Sequence, residues 1–176
     1  MSTMPLTPYT FGLMREAEAR EIAAWRYDGP YAAYNMDADD PSGLAELLDR
    51  RSPYYAVRDQ HGDLTGFFAF GTAAEVQQVQ GSGPPRLFAA GGTLSIGLGM
   101  RPDLTGRGQG LAFVNAGLTF ACQTYAPTAF RLYVMTFNHR AIRVYERAGF
   151  APVGTVRVPA PGGVAREFLE MRRAAM

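Results

Sequence analysis

Apolar and polar positions along this chain switch repeatedly between a strand period and a helical one. Tyr9 to Met14 reads as a short strand, and Glu16 to Trp25 follows as a helix with Ala19, Ile22 and Ala23 on one face. The stretch Tyr27-Asp28-Gly29-Pro30-Tyr31 breaks that helix. Asp40-Pro41 then supplies an acidic residue followed by proline, which suits the start of a second helix over Pro41 to Arg50. Tyr54 to Asp59 and Leu64 to Phe70 are aromatic-rich runs joined by Gln60-His61-Gly62-Asp63, a hairpin connection in which glycine accepts a positive φ. Gly81-Ser82-Gly83-Pro84-Pro85 has loop composition but lies inside the domain, not at a boundary.

The second half repeats the switching. Thr93 to Met100 reads as a glycine-interrupted strand, and Gly108 to Tyr125 as a helix with Leu111, Val114, Leu118, Ala121 and Tyr125 at helical spacing. Phe130 to Phe137 completes a β-α-β unit. His139 to Ala148 is a further helix, ended by Gly149. Ala151 to Val158 and Ala165 to Arg172 form a terminal strand pair around Pro159-Ala160-Pro161-Gly162-Gly163. The order β-α-α-β-β-β-α-β-α-β-β predicts an α/β (α+β) fold, a mixed sheet flanked by helices.

Composition narrows the chemistry. At 176 residues, with 47% hydrophobic and 19% charged residues, one packed domain over 1–176 is expected. The formal net charge is +1 with no run of basic residues, so the field that attracts nucleic acid is missing. Cys122 is the only cysteine, and beside His61 and His139 it leaves no metal cluster, so metal-free chemistry is expected. Met1 to Arg20 lacks the apolar stretch of a signal peptide, and no segment has the length of a bilayer span. The expected address is cytoplasmic, with no membrane partner.

The turn Thr105-Gly106-Arg107-Gly108-Gln109-Gly110 between a strand and a helix is the chemical signal. Backbone N–H groups at a helix start are unpaired and the helix dipole adds positive charge, while glycines let a phosphate approach closely. The bland alternative is a glycine-rich connection used only for tight packing. A Walker loop would need lysine and a hydroxyl residue after the last glycine, where Leu111-Ala112 stand; a dinucleotide fingerprint would need a third glycine at Leu111 or Phe113.

The segment Arg101-Pro102-Asp103-Leu104-Thr105-Gly106-Arg107-Gly108-Gln109-Gly110-Leu111 resembles the acetyl-CoA signature of the GNAT superfamily of N-acetyltransferases. Downstream, Asn138-His139-Arg140-Ala141-Ile142-Arg143-Val144-Tyr145-Glu146-Arg147-Ala148-Gly149-Phe150 is similar to that superfamily's asparagine, tyrosine and Gly-Phe segment. The match covers about Thr93 to Phe150. It implies a mixed, mostly antiparallel central sheet, acetyl-CoA as acetyl donor, and an amine as acceptor. The superfamily often carries glutamine or arginine where Thr105 stands, three positions before Gly108, so pyrophosphate binding would lean on backbone N–H groups and Arg107.

The resemblance places the cofactor on Leu98, Gly99 and Met100, on Thr105, Gly106, Arg107, Gly108, Gln109, Gly110 and Leu111, and at Asn138, which either bonds the cofactor or caps its helix. The strand ending at Met100 would splay from its neighbour, with a backbone N–H near Leu98 polarising the thioester carbonyl. Tyr145 is the candidate acid for the departing sulfur, its reference pKa of about 10 keeping it protonated; the alternative is packing on the sheet with Ile142. Trp25, Tyr31 and Tyr34, beside Tyr27, are candidates for the acceptor wall. Glu75, Asp28 and Glu21 are weighed as bases, and Ser95 and Thr93 as holders of a relay water, with none chosen. The acceptor is left as a protein N-terminus, as in the ribosomal-protein-alanine acetyltransferases, or a small amine. A homodimer is compatible with the resemblance. The rival functions are a non-catalytic acyl-CoA sensor or scaffold and an interaction domain without cofactor.

Overall fold

The described residues form seven strands: β1 (Thr10–Leu13), β2 (Tyr54–Arg58), β3 (Leu64–Phe70), β4 (Thr93–Met100), β5 (Ala129–Met135), β6 (Ala151–Val158) and β7 (Arg166–Ala174). The computed structural model describes residues 8–160 and 162–175. Pro161 of the expected last turn lies outside the described residues, as do residues 1–7 of the N-terminal stretch. The strands form one sheet in the order β1-β2-β3-β4-β5-β7-β6. Every neighbouring pair is antiparallel except β4 with β5, which is parallel. That exception follows from the crossover helix between them, since parallel neighbours need a long connection.

The helices are α1 (Glu16–Ala23), α2 (Pro41–Leu47), the one-turn α3 (Gln77–Gln80), α4 (Gly110–Tyr125) and α5 (His139–Arg147). Local chemistry sets their ends. Asp40 accepts from the Ser42 N–H at 3.0 Å with Pro41 in the first turn of α2. Asn138 accepts from the Ala141 N–H at 3.1 Å to cap α5, and Gly149 takes φ +93° just past its end. The crossover helix starts at Gly110 and not at Gly108, because Gly108 has φ +78°, outside any right-handed helix. The break after α1 holds a 3-10 turn over Gly29–Tyr34, which apolar periodicity does not signal.

Each face of the sheet carries a core. On one face Phe68, Phe70, Phe130 and Met171 of the sheet pack with Phe113 of α4, while on the other Met14 and Tyr54 pack with Ile22 of α1 and Leu47 of α2. Strand alternation sends Phe130, Leu132 and Val134 of β5 to the first core and turns Arg131 and Tyr133 to the opposite face. Glu18 ties α1 to the sheet through Arg58, 2.7 Å away.

Helix α4 lies so close to β3 that a Cβ on Gly117 would overlap the fully buried ring of Phe68. Gly117→Ala therefore opposes two effects. Alanine in a helix interior gains about 0.5–1 kcal/mol over glycine, whereas an extra methyl in a packed core costs about 1–3 kcal/mol. The clash should win, and thermal unfolding followed by circular dichroism should show a lower Tm; a higher Tm would mean that α4 has room to move away from the sheet.

Candidate active site

Strands β4 and β5 pair only at Thr93↔Ala129, Leu94↔Phe130 and Ser95↔Arg131. Both continue, to Met100 and Met135, but apart. Throughout that distance β4 stays on β3, as far as Gly66↔Met100, and β5 stays on β7, as far as Met135↔Phe168. A wedge-shaped gap therefore opens in the middle of the sheet. The Arg101 N–H donates to the Thr65 carbonyl at 2.8 Å, so Arg101 and, two residues earlier, Gly99 spend their backbone groups on β3. Alternation turns the backbone of Leu98 and Met100 into the gap. The Met100 carbonyl accepts from the Tyr27 hydroxyl at 2.6 Å.

The gap is part of a cavity of about 520 Å³. Its floor includes Leu98, Gly99 and Met100. One mouth is formed by Thr105, Gly106, Gly108, Gly110 and Leu111 at the start of α4. Gly106 and Gly108 both have positive φ, and a Cβ on Gly108 would meet nothing within 4 Å, so this turn is an open cradle facing a helix N-terminus. Gly110 differs: a Cβ there would stand 3.2 Å from Val144, so this glycine also allows α4 and α5 to approach. The Thr105 hydroxyl donates to the Pro102 carbonyl at 2.8 Å and is used locally. Arg107 and Gln109 are exposed and do not line the cavity.

Across the gap, α5 brings Asn138 and Tyr145 to the cavity. The asparagine's side chain is committed twice, its oxygen to the helix cap and its amide to the Tyr34 hydroxyl at 3.1 Å. Tyr145 also packs edge-on to Phe150, with ring centroids 6.2 Å apart. Burial raises its phenol above the ordinary range, with Tyr34 adding to the effect, so the hydroxyl is protonated at any neutral pH.

The opposite wall is aromatic. Trp25, Tyr31 and Tyr34 line it together with Tyr27, Met36 and Phe67. Phe137 backs Tyr31 and Tyr34 at 5.9 and 6.2 Å between centroids. Burial pushes the Tyr27 phenol up to about 12. Tyr133 also lines the cavity, and its buried hydroxyl has no hydrogen-bond partner among the described residues.

Arg140 was not singled out by the sequence. Its guanidinium lies 4.6 Å from the Tyr31 ring centroid, and Nη1 stands 3.0 Å from where a Cβ of Gly106 would be. It thus sets a cation between the glycine turn and the aromatic wall. A basic residue on a helix reads as solvated, and nothing in its spacing marks it otherwise.

The residues weighed as bases do not reach the cavity lining. Asp28 and Glu21 are exposed. Glu75 is buried at the foot of the fork, where Arg131 donates to it at 2.7 Å and Ser95 at 3.1 Å. Its second oxygen has no hydrogen-bond partner among the described residues and lies 3.7 Å from Arg86. Cys122 packs against the core, and His61 and His139 are exposed. Among the described residues, no group of three or more His, Cys, Asp or Glu is placed to hold a metal ion, and no helix is long and apolar enough to cross a membrane.

Comparison with known proteins converges on one family. Residues 16–150 match the acetyltransferase (GNAT) family. Mycothiol acetyltransferase of Propionibacterium freudenreichii subsp. shermanii is 35% identical over 131 residues, 74% of this chain and 35% of that protein. The chain thus spans about a third of that relative's length. Among solved structures, a chimera of the spermidine N-acetyltransferase SpeG from Vibrio cholerae and hSSAT superposes with a TM-score of 0.70 at 15% identity, over 96% of each chain. A dodecameric spermidine N-acetyltransferase from Vibrio cholerae gives 0.65 at 16% identity, over 96% of this chain and 94% of that one. At such identities the structures share the fold. With the family match spanning the strand fork, the glycine turn and α5, the chain belongs to the GNAT family of acetyltransferases.

Proposed function

We propose that this protein transfers the acetyl group of acetyl-CoA directly to a primary amine within one ternary complex. The continuity of a single cavity carries the reading: it runs from the glycine turn, along the unpaired edge of β4, past Tyr145, to an aromatic wall. A donor and an acceptor entering from its two ends would meet beside Tyr145.

Acetyl-CoA supplies an acyl group activated as a thioester. Its diphosphate is assigned to the cradle of Gly106, Gly108 and Gly110, with unpaired N–H groups and the dipole of α4 opposing the negative charge and Arg140 adding a nearby cation. The Leu98 carbonyl and the Met100 N–H are assigned to the pantetheine amides, since the Met100 carbonyl already accepts from Tyr27. The Leu98 N–H is the donor assigned to the carbonyl oxygen on which negative charge develops. The amine nitrogen gains the acyl carbon, the carbon–sulfur bond breaks, Tyr145 gives its proton to the sulfur, and a proton from the nitrogen returns the balance through solvent. Arg107 and Gln109, exposed beside the turn, are assigned to the outer part of the cofactor. Asn138 is assigned to positioning, because capping α5 and bonding Tyr34 fix where that helix begins.

The acceptor is a protein N-terminus, in the manner of the ribosomal-protein-alanine branch, or a small-molecule amine. Self-association as a homodimer belongs to the same reading, with β6 at one edge of the sheet among the described residues. The cytoplasm is the proposed location, in keeping with a cofactor made and used there.

Gly108→Glu should abolish acetyl-CoA binding in calorimetry while the protein still unfolds cooperatively, because side chain and charge would fill the cradle. The strain of a positive φ costs about 1–2 kcal/mol, a visible but tolerable loss of stability. Unchanged affinity would remove the diphosphate from this turn.

Tyr145→Phe keeps the ring against Phe150 and removes only the hydroxyl. Single-turnover acetylation should fall by about 10²–10⁴-fold with acetyl-CoA affinity nearly unchanged. The raised phenol pKa also has a sign: the proton is lost only above the ordinary phenol range, so wild-type activity should show no basic limb below about pH 10. Parent-like rates for the variant across pH would make Tyr145 a packing residue.

A further inference from the structure

We infer that the acceptor is a small primary amine on an apolar body of about aromatic size, carrying no positive charge other than the ammonium that is acetylated. This rests on the acetyl-transfer reading and narrows its acceptor.

The wall facing the donor side presents Trp25, Tyr31, Tyr34, Met36 and Phe67. Trp25 and Phe67 stand with centroids 6.4 Å apart and planes inclined at 34°. Flat apolar surface of this kind rewards a flat apolar guest. Two of its hydroxyls are engaged within the protein: that of Tyr27 donates to the Met100 carbonyl, and that of Tyr34 accepts from Asn138. An amino sugar would therefore bury several hydroxyls with few partners, which is unfavourable.

Charge gives the sharper restriction. Among the described residues lining the cavity there is no aspartate or glutamate, and the permanent charges are Arg140 and Arg147. Arg140 already occupies the cation position over the Tyr31 ring. A second ammonium on the acceptor would meet the Arg140 guanidinium beside the aromatic wall and no carboxylate among the described lining residues. Asp37, Asp40 and Glu46 line a separate cavity of about 230 Å³ that shares Met36 with this one. Asp40 is in addition tied to Ser42 at the start of α2.

An apolar wall also bears on the missing base. Desolvation disfavours the charged form of an amine, so the wall itself raises the neutral fraction that can attack. The cavity must hold the pantetheine arm as well, which keeps the acceptor small.

The test is CoA release at saturating acetyl-CoA with phenylethylamine, spermidine and glucosamine as acceptors, supported by Met36→Glu, which sets a carboxylate into the acceptor wall. The wild type should show kcat/KM for phenylethylamine about 100-fold above that for either polar amine. In Met36→Glu the spermidine value should rise about tenfold and the phenylethylamine value fall, with acetyl-CoA affinity by calorimetry confirming an intact donor site. If wild type prefers spermidine or glucosamine, or if Met36→Glu leaves the ranking unchanged, the acceptor inference is wrong while acetyl transfer to amines stands. If acetyl-CoA binds and no amine of any class is acetylated, the acetyl-transfer reading itself fails and takes the inference with it.

Discussion

Strands β4 and β5 remain paired for three residue couples and then separate, and the position of every other functional element follows from that separation. Unpaired backbone groups inside a protein are costly unless something satisfies them, so the fork must be held open by stronger commitments elsewhere. Each strand has one. β5 is paired with β7 along its whole length, from Ala129 to Met135. β4 is held on β3, where neither Gly66 nor Gly99 has space for a side chain: a Cβ on the first would strike the Gly99 carbonyl and Phe113, and on the second the ring of Phe67. At the foot of the fork Arg131, Ser95 and Glu75 form a buried polar knot, with Arg131 and Glu75 2.7 Å apart. Removing one partner of such a buried pair typically costs about 3–5 kcal/mol, so the knot fixes where the separation starts.

The parallel pairing that precedes the fork requires a crossover, and the crossover is α4. Its first turn therefore lies at the open end of the gap, where its unpaired N–H groups meet the glycine turn. Helix α5 packs on α4 through the close approach of Gly110 and Val144 and carries Tyr145 to the other lip. On the opposite face the segment after α1 reaches across, bonded to β4 by Tyr27 and to α5 by Tyr34. The glycine cradle, the placement of Tyr145 and the aromatic wall are thus three consequences of one interrupted ladder.

Much of this was legible in the residues. Apolar and aromatic runs, helical spacing and the Asp40-Pro41 helix start located the seven described strands and four of the helices. The glycine turn and the segment from Asn138 to Phe150 pointed to the region that lines the cavity. The less legible features depend on contacts between distant residues. The 3-10 turn of Gly29–Tyr34 has no apolar period, and the start of α4 at Gly110 depends on the φ of Gly108. Asn138 carried two readings in the sequence, and the structure shows it capping α5. Arg140 gained a place beside the turn only through the packing of α5, and Phe67 and Met36 only through the meeting of β3 with the segment after α1.

Amide hydrogen exchange at single-residue resolution tests the central claim, that acetyl-CoA lies along the unpaired edge of β4. The Gly99 N–H, directed to β3, should be protected with or without ligand. The Leu98 N–H, directed into the gap, should exchange quickly in the free protein and become protected when acetyl-CoA saturates it. Protection of Leu98 that is already high in the free protein, or that does not change on saturation, would contradict the account.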